Sequence, residues 1–457
     1  MAGGGRSREP VRALPRLFSA VTSPVQAFLQ LEASSGIVLL ACAVVALAWA
    51  NLPGESYRAV LSFPLRIGAG GWTADLTLSA LVDDGLMTVF FFVVGMEIKR
   101  ELVLGELRTP GQALLPAVAA VGGMIFPALI FLAFNASGPG RVGWGIPVAT
   151  DIAFCIGILT LLRRRVPRAL LVFVIALAIF DDIGGILIIA VFYGQPVDLG
   201  WLGATGVVTA VTMAMSRAQV RSGAAYLAAG AALWATFHGA GIHPTLAGVV
   251  LGLAIPARPR QRPAEVLLAL GSHVDALNRE RAGRHDALDG EALAGIEERL
   301  SELEAPLDRF VEALHPWVAY GVMPAFALAN AGVALGGSDP SLWFGPVTLG
   351  TALGLLAGKT AGIFAFAGGA VRLGLAGVPG NAGHWKLLGV SAVGGVGFTV
   401  ALFIAGLAFH DQPALLDEAK VGILAGSLAA GLAGAAVLAR TREVAVPAAD
   451  GSAVAAK

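Results

Sequence analysis

The chain has 457 residues, of which 56% are hydrophobic and only 14% are charged. Soluble domains carry about 25% charged residues, so this composition and a mean hydropathy of +0.76 exclude an ordinary soluble protein. The formal net charge is zero, but in a membrane protein the side on which charges lie is more informative than their sum. The two cysteines, Cys42 and Cys155, lie in apolar segments without any metal-ligand spacing, so we expect them to have packing roles. We also expect no cofactor and no nucleic-acid partner.

Apolar segments recur along the whole chain, most of them close to the roughly 20 residues that cross a hydrocarbon layer of about 30 Å as an α-helix. We predict an all-α polytopic membrane protein. Its twelve predicted spans, numbered in chain order, are residues 34–52, 78–98, 113–134, 144–162, 169–192, 199–215, 223–237, 242–256, 316–333, 345–370, 385–409 and 419–438.

Basic residues are distributed unevenly between the two sides of these spans. Cytoplasmic loops carry an excess of Lys and Arg, which predicts a cytoplasmic N-terminus (1–33), spans one to eight (34–256), a cytoplasmic linker (257–314), spans nine to twelve (315–439) and a cytoplasmic tail (440–457). The loops assigned to the cytoplasm hold Lys99, Arg100, Arg108, Arg163, Arg164, Arg165, Arg168, Arg217 and Arg221, whereas the opposite loops hold only Arg58, Arg66 and Arg141.

The loop between spans one and two has two short runs, in residues 63–77, separated by Gly68, Ala69, Gly70 and Gly71. This pattern predicts a short extracytoplasmic β-hairpin. A free strand edge pairs readily with another strand, so we expect a homodimer with a contact through the hairpin. The alternative is a surface loop without a partner.

Spans four and eleven are unfit to be continuous helices. Span four places Pro147 and Thr150 before Asp151, and span eleven contains Gly389, Gly394, Gly395 and Gly397. Proline removes a backbone hydrogen bond, and glycine destabilises helix interiors. Both spans are therefore predicted to be discontinuous, which membranes tolerate only where the backbone is buried or lines a wet cavity.

Small residues recur every four positions in spans ten and twelve. Such faces allow close helix packing. The two faces are Gly350, Gly354, Gly358 and Gly362, and Gly422, Gly426, Ala430 and Gly434.

Several ionisable side chains lie inside the apolar spans, where a charge costs roughly 2.5–3.5 kcal/mol at the bilayer centre. Any one of them could belong to a structural ion pair. However, only one deep lysine faces the acidic residues, so several carboxylates must be protonated, hydrated or bound to a cation. The residues are Asp83, Asp84, Glu97, Asp151, Asp181, Asp182 and Lys359.

Asp181 and Asp182 are adjacent in span five. Successive helical residues point about 100° apart, so these carboxylates cannot aim at one target from the same direction, but they can border one cavity. We expect one to meet a fixed charge and the other a mobile ion. Half-helix ends carry partial charges, and Asp151 and Lys359 are the residue types that would compensate them.

Seven motifs together make the chain resemble the NhaA-type sodium/proton antiporter family, over about residues 30–440. They are FFFVVGMEIKRELVLGELR, ATDIAFCIGIL, ALAIFDDIGGILIIAVFY, HPTLAGVVLG, HPWVAYGVMPAFALANAGV, GLLAGKTAGI and GGVGFTVALFIAGLAF. The family is a known example of inverted-repeat transporters. The resemblance implies a repeat of spans three to five and, inverted, ten to twelve, with spans four and eleven discontinuous.

The resemblance also implies an ion site. Asp182 would be the principal Na⁺ ligand, with Asp181 beside it and linked to Lys359, while Asp151 and Thr150 would lie where the broken spans cross. Asp84 would belong to a cytoplasmic funnel.

Regulation by pH is implied for a cytoplasmic cluster and for one histidine of the periplasmic half. The sequence departs from the best-known pattern at Glu312, where a second histidine is usual. The candidates are Glu97, Arg100, Glu101 and His315 in the cluster, and His243 in the periplasmic half.

The function implied is transport, not enzymatic catalysis: electrogenic, pH-regulated exchange of cytoplasmic Na⁺ or Li⁺ for external H⁺ across a bacterial inner membrane. Carboxylate and carbonyl oxygens suit hard cations in general, so another monovalent cation/proton exchanger, including one for K⁺, and a cation channel are the alternatives. An intramembrane aspartyl protease is a remote one, since no GxGD motif is present.

Overall fold

A computed structural model of the chain describes residues 34–69, 72–194, 196–259, 305–336 and 340–443. The predicted N-terminal segment (1–33), most of the predicted linker (257–314) and the tail from residue 444 lie outside the described residues. All twelve predicted spans lie within the described ranges.

The described chain is mostly helical, with one two-stranded sheet. In chain order the elements are α1 (Ser34–Ala50), α2 (Ser56–Leu61), β1 (Pro64–Ala69), β2 (Trp72–Thr77), α3 (Leu78–Val103), α4 (Pro110–Phe134), a 3₁₀ helix (Pro139–Val148), α5 (Ile152–Leu161), α6 (Arg168–Phe192), α7 (Leu199–Arg217), α8 (Gly223–Gly239), α9 (Leu246–Ala254), α10 (Pro306–Trp317, continuing through the π-helical turn Val318–Val322 into Met323–Asn330), α11 (Ser341–Arg372), α12 (His384–Val393), α13 (Phe398–Ala408) and α14 (Pro413–Ala439).

Every predicted span coincides with one or two of these helices. In the described part of the chain, six helices are long and apolar enough to cross a membrane, and eight spans result if each of two bent pairs counts as one. An α-helical, multi-pass membrane protein is thereby confirmed. Some of the remaining helices are short: α9 has 9 residues and α1 has 17, so the count of twelve stays a prediction.

Both predicted discontinuities are confirmed. The 3₁₀ helix and α5 meet at an angle of 42°, and α12 and α13 meet at 45°. Residues 149–151 between the first pair include extended backbone, with φ −76° and ψ 151° at Ala149. Because Pro147 has no N–H group, and Gly394, Gly395 and Gly397 occupy the second break, neither segment sustains a regular α-helix across its centre.

The two breaks occupy equivalent places in two runs of the same elements. α4, the first bent pair and α6 form one run; α11, the second bent pair and α14 form the other. α4 packs along α11, and α14 packs along both α11 and α12. The two discontinuous spans thus lie at the centre of one packed unit, with their breaks in contact: Asp151 N donates to Val396 O at 2.7 Å.

The predicted small-residue faces lie at these packing contacts. On α11, a Cβ added to Gly362 would collide with the carbonyl oxygen of Gly122 on α4. On α14, a Cβ at Gly426 would lie 2.8 Å from Ala352 Cα of α11. Only residues without a larger side chain permit such close backbone approach.

The β-hairpin is also confirmed. β1 and β2 pair antiparallel, from Pro64 opposite Thr77 to Ala69 opposite Trp72. Gly68 and Ala69, which the sequence pattern assigns to the connection, instead belong to β1, because glycine and alanine do not prevent ladder hydrogen bonding.

Candidate functional site

The centre of the candidate site is a buried group of three side chains from three helical segments. Asp181 of α6, Lys359 of α11 and Thr150 at the first break are all buried. Lys359 Nζ lies 2.5 Å from Asp181 Oδ2 and also donates to Thr150 Oγ1. Opposite charges compensate each other here, which offsets part of the cost of removing both from water.

Thr150 links this group to the second break. Its hydroxyl lies 2.6 Å from Asp181 Oδ2 and 2.9 Å from the carbonyl oxygen of Gly394. A hydroxyl has one proton to donate, so at any moment Thr150 donates to one of these oxygens. The ion pair and the backbone of the broken span therefore share one hydrogen-bonding residue.

The second carboxylate oxygen of Asp181 has no hydrogen-bond partner among the described residues, although it is buried. It faces α4 at Gly123, where an added Cβ would lie 3.9 Å from Oδ1. Leaving a buried acceptor unsatisfied costs about 1–3 kcal/mol. Such an oxygen retains the capacity to accept a proton or to coordinate a cation.

Asp182 has different surroundings. Its side chain is only 8% exposed, yet it borders a cavity of about 410 Å³. No described residue forms a hydrogen bond with its carboxylate. Because neighbouring helical positions diverge by about 100°, α6 directs one aspartate at a fixed lysine and the other at this cavity.

Asp151 joins the two broken spans. Oδ1 accepts a hydrogen bond from Phe154 N (3.2 Å) in the first turn of α5, while Oδ2 accepts bonds from Thr399 N (3.2 Å) and Thr399 Oγ1 (2.5 Å) in α13. A carboxylate compensates the partial positive charge at a helix N-terminus. Asp151 does so for two helices, with both oxygens engaged.

Two further hydroxyl residues at the site were not singled out from the sequence. Thr399 donates to Asp151, and Ser427 Oγ of α14 accepts bonds from Gly397 N and Phe398 N at 3.2 Å each. Thr399 directly follows the glycine-rich break in the sequence, as Thr150 lies at the other break next to Asp151. This position beside a predicted break is the sequence feature that identifies Thr399 as a candidate. Ser427 lies in a helix rich in small residues, and no feature of the sequence around it points to the site.

Lys359 does not contact the carbonyl ends of the broken helices directly. Its ammonium group instead contacts Asp181 and Thr150. At the end of α12, the carbonyl of Gly394 receives the Thr150 hydroxyl, and that of Val393 receives Cys155 Sγ at 3.1 Å. Any compensation by the lysine charge therefore acts through space and through Thr150.

Four of the pH-sensing candidates line the same cavity as Asp182. They are Glu97, Arg100 and Glu101 on α3 and His315 on α10. Arg100 Nε also lies 3.4 Å from Asp308 Oδ1 in the first turn of α10. The structure thus brings together the predicted cytoplasmic cluster and the Asp182 carboxylate around one cavity.

His243 and Asp84 lie elsewhere. His243 Nε2 is 3.9 Å from Asp84 Oδ1, and its Nδ1 is 2.8 Å from Thr245 Oγ1. Neither residue lines the cavity, and the neighbouring Asp83 accepts a 2.6 Å hydrogen bond from Asn330.

Asp84 lies far along α3 from the cytoplasmic candidates of the same helix. Asp84 lies in the first turns of α3, next to the hairpin, whereas Glu97 lies near the other end of the same helix. At about 1.5 Å per residue, the two positions are roughly 20 Å apart along the helix axis. Asp84 is at the end of α3 that carries the hairpin, and its assignment to a cytoplasmic funnel stays a prediction.

Two crossing broken helices, a buried aspartate–lysine pair and a second carboxylate open to a cavity define a secondary transporter of the broken-helix class. The chain matches the family described as Na⁺/H⁺ antiporter 1 over residues 26–438. It belongs to this family, the NhaA antiporters, and is a transporter rather than an enzyme.

Bacterial proteins named as Na⁺/H⁺ antiporters match this chain over nearly their whole length. The chain is 58% identical over 443 residues to the Na⁺/H⁺ antiporter NhaA of Anaeromyxobacter sp. (strain Fw109-5), covering 97% of this chain and 96% of that protein. It is 52% identical to NhaA 1 of Myxococcus xanthus, with 97% and 98% covered. Identity to NhaA 2 of Sorangium cellulosum is 46%, with 94% and 93% covered.

Proposed function

We propose that this chain exchanges cytoplasmic Na⁺ or Li⁺ for external H⁺ at Asp182 and Asp181. The single observation that carries the proposal is the division between these neighbours. Asp181 is held by Lys359 and Thr150, whereas the Asp182 carboxylate borders the cavity without a partner among the described residues. An unpaired carboxylate in a cavity accepts either a proton or a cation.

Competition between the two ions follows from elementary electrostatics. Burial disfavours the charged form of a carboxylate, and both a proton and a bound cation remove that charge. Na⁺ prefers oxygen ligands. We assign Asp182 as the principal ligand, with oxygens of Asp181 and Thr150 beside it, and Asp151 as the charge-compensating residue, since both its oxygens are engaged.

Access from one side at a time is the second requirement for exchange. The cavity is lined at α3 by Arg100 and Glu101, next to the loop whose basic residues predict a cytoplasmic location. We propose that this conformation faces the cytoplasm. Movement of the broken-helix unit would then carry the loaded site to the hairpin side.

We further propose electrogenic exchange with more protons than sodium ions. Two neighbouring carboxylates support it, since Asp181 becomes available for a proton whenever its contact with Lys359 breaks. Regulation by pH is assigned to Glu97, Arg100, Glu101 and His315, which line the cavity. His243, beside Asp84, is the candidate on the other side.

The proposed setting is a bacterial inner membrane, with twelve spans, cytoplasmic termini and an inverted repeat of spans three to five and ten to twelve. The uneven distribution of Lys and Arg supports this orientation. We also propose a homodimer with a contact through the hairpin, whose two strands form the whole described sheet and leave strand edges for pairing.

Asp182→Asn tests the ion site. The amide cannot take up a proton or neutralise Na⁺, so Na⁺-driven proton movement in everted vesicles, followed by fluorescence dequenching, should be abolished. Asp411→Asn is the matched control, because Asp411 is 93% exposed and lies outside the site; it should transport normally. Substantial exchange by a correctly inserted Asp182→Asn protein would overturn the assignment.

A further inference from the structure

A second concave region lies on the outside of the broken-helix unit. It is an apolar groove of about 430 Å³ between α4, the 3₁₀ helix and α6, lined among others by Met124, Ala128, Leu129 and Ile188. Its volume falls in the range of about 300–1,000 Å³ usual for ligand pockets. It shares no lining residue with the cavity at Asp182.

The groove has one charged residue, Arg141 of the 3₁₀ helix, which is exposed. No carboxylate in the described ranges forms an ion pair with its guanidinium. Arg141 is also one of only three basic residues in the loops assigned to the hairpin side, where cations are otherwise sparse. A cation left unpaired beside an apolar surface is complementary to an anion with an apolar tail.

Trp144 occupies the same wall of the groove. Its ring packs edge-on against Phe192, with centroids 5.0 Å apart. Tryptophan is enriched where membrane proteins meet the lipid headgroups. Nearby, Leu129 and Phe192 are each 59% exposed, so the groove opens towards the hydrocarbon layer and not towards an aqueous path.

We propose that this groove binds an anionic phospholipid, with an acyl chain along Met124, Leu129 and Ile188 and the phosphate at Arg141. Guanidinium groups pair with phosphate through charge-assisted, bidentate hydrogen bonds. A zwitterionic lipid offers the same chain but adds a positive charge near Arg141, so the site discriminates by headgroup.

The position of the groove connects the lipid with the transport unit. Its occupant touches α4, α6 and the 3₁₀ helix, including Val148, two residues before Thr150. Met124 also packs directly over Gly184 of α6, close to the aspartate pair in sequence. A bound lipid therefore stabilises the relative positions of three elements around the first break.

Native mass spectrometry of the purified full-length chain tests the proposal. The probes are phosphatidylglycerol and phosphatidylcholine with identical palmitoyl-oleoyl chains, added in matched titrations. The wild-type chain should retain phosphatidylglycerol preferentially. Arg141→Gln should weaken that retention about fivefold, the effect of removing one basic contact with an anionic lipid, and leave phosphatidylcholine unchanged.

Arg58→Gln is the matched control, since Arg58 is an exposed arginine, isolated in the sequence from other basic residues, on the same predicted side as Arg141 and outside the groove; it should retain both lipids as the wild type does. Ala128→Phe fills the groove and should reduce retention of both. Equal retention of the two lipids by the wild type, or wild-type preference in Arg141→Gln, would overturn the proposal. If Ala128→Phe does not fold, the lipid preference of Arg141→Gln is sufficient to test the proposal. Lipid retention is measured without any transport, so its outcome is separate from that of the transport experiment.

Discussion

At the scale of single residues, two identical side chains at adjacent positions have unlike surroundings. Asp181 is fixed by a lysine and a threonine, while Asp182 borders a cavity. A fully paired acid–base set would hold its charges and exchange nothing. The unpaired neighbour gives the site a group whose charge state depends on the solution.

Thr399 completes the hydrogen bonding of Asp151, and its contribution can be measured directly. Thr399→Val keeps the side-chain shape and removes the hydroxyl that donates to Asp151 Oδ2 at 2.5 Å. The lost hydrogen bond should cost about 1–3 kcal/mol and lower the apparent melting temperature of the purified protein in detergent.

Thr351→Val is the matched control for Thr399→Val. Thr351 is equally buried, but its hydroxyl has no hydrogen-bond partner among the described residues. Removing an unsatisfied hydroxyl should leave the melting temperature unchanged or raise it. An equal loss in both variants would mean that any change of shape in this core is destabilising and that the bond to Asp151 contributes little.

The sequence identifies the residues whose presence in a membrane is costly, and little beyond them. Asp151, Asp181, Asp182 and Lys359 stand out because each interrupts an apolar span. Thr399 does not, since a hydroxyl is common in such spans. The role of Asp84 stays a prediction, because an aspartate in an apolar run does not reveal which residues become its partners.

At the scale of elements, α3 and α9 cross with almost no space between their backbones. An added Cβ at Gly95 would lie 2.7 Å from Val249 O, and one at Gly252 would lie 2.5 Å from Phe92 O. Lys99 Nζ then donates to the carbonyl oxygens of two residues at the end of α9, at 2.8 Å and 2.5 Å. Because α9 is only 9 residues long, it depends on this crossing for its position.

Gly248→Ala should disrupt the crossing. Its new Cβ would collide with Thr88 O and lie 3.0 Å from Phe92 N. Since both neighbours are backbone atoms, the helices must separate, at a cost of about 1–3 kcal/mol for overpacking. The measurement is the melting temperature in detergent, with the yield of folded protein as a second reading.

Gly203→Ala is the control, and we expect it to stabilise the protein. Gly203 lies in α7 with nothing within 4 Å of an added Cβ, so alanine should gain up to about 1 kcal/mol from its higher helix propensity. A melting temperature that falls equally in both variants would contradict the role of the close crossing.

Helix positions are predictable from hydropathy, whereas lengths and irregularities are not. The predicted second span ends at residue 98, but α3 continues to Val103 because its last turn is amphipathic and packs at the cavity. The 3₁₀ helix begins at Pro139, earlier than the predicted span. Pro147 and the glycines of span eleven indicate the breaks correctly, since their effect on backbone hydrogen bonding is local.

At the scale of the whole molecule, binding of Na⁺ and binding of H⁺ are linked. If a sodium ion displaces protons, Na⁺ affinity must fall as pH falls below the pKa of the site, by about tenfold per pH unit for each proton displaced, and must be independent of pH well above that pKa, where the site is already deprotonated. Isothermal titration calorimetry at a series of pH values measures this dependence.

Repeating those titrations in buffers of different ionisation enthalpy reveals the released protons, and Asp182→Asn should show no Na⁺-dependent heat. Equal Na⁺ affinity at acid and alkaline pH, without proton release, would contradict exchange at a shared site. Most of these titrations can be made between about pH 5 and 8, the range in which proteins are usually most stable.

The overall architecture follows from quantities that sequence reports well, namely apolar length and the sidedness of basic residues. The packing of the two element runs does not, because Gly122 and Gly362 come together only in three dimensions. The small-residue faces predict close contacts without identifying their partners. The family resemblance supplies the pairing of spans that hydropathy alone leaves open.

Asp151 has a mechanical consequence. Oδ1 of Asp151 binds the start of its own half-helix, α5, and Oδ2 binds the start of α13, so pulling the half-helices apart would leave a buried carboxylate oxygen and the amide and hydroxyl groups of Thr399 without partners. Asp151 therefore fastens the two half-helices to each other, and we expect them to move as one unit when the protein opens on its other face. The hinge for that movement must lie outside these two half-helices.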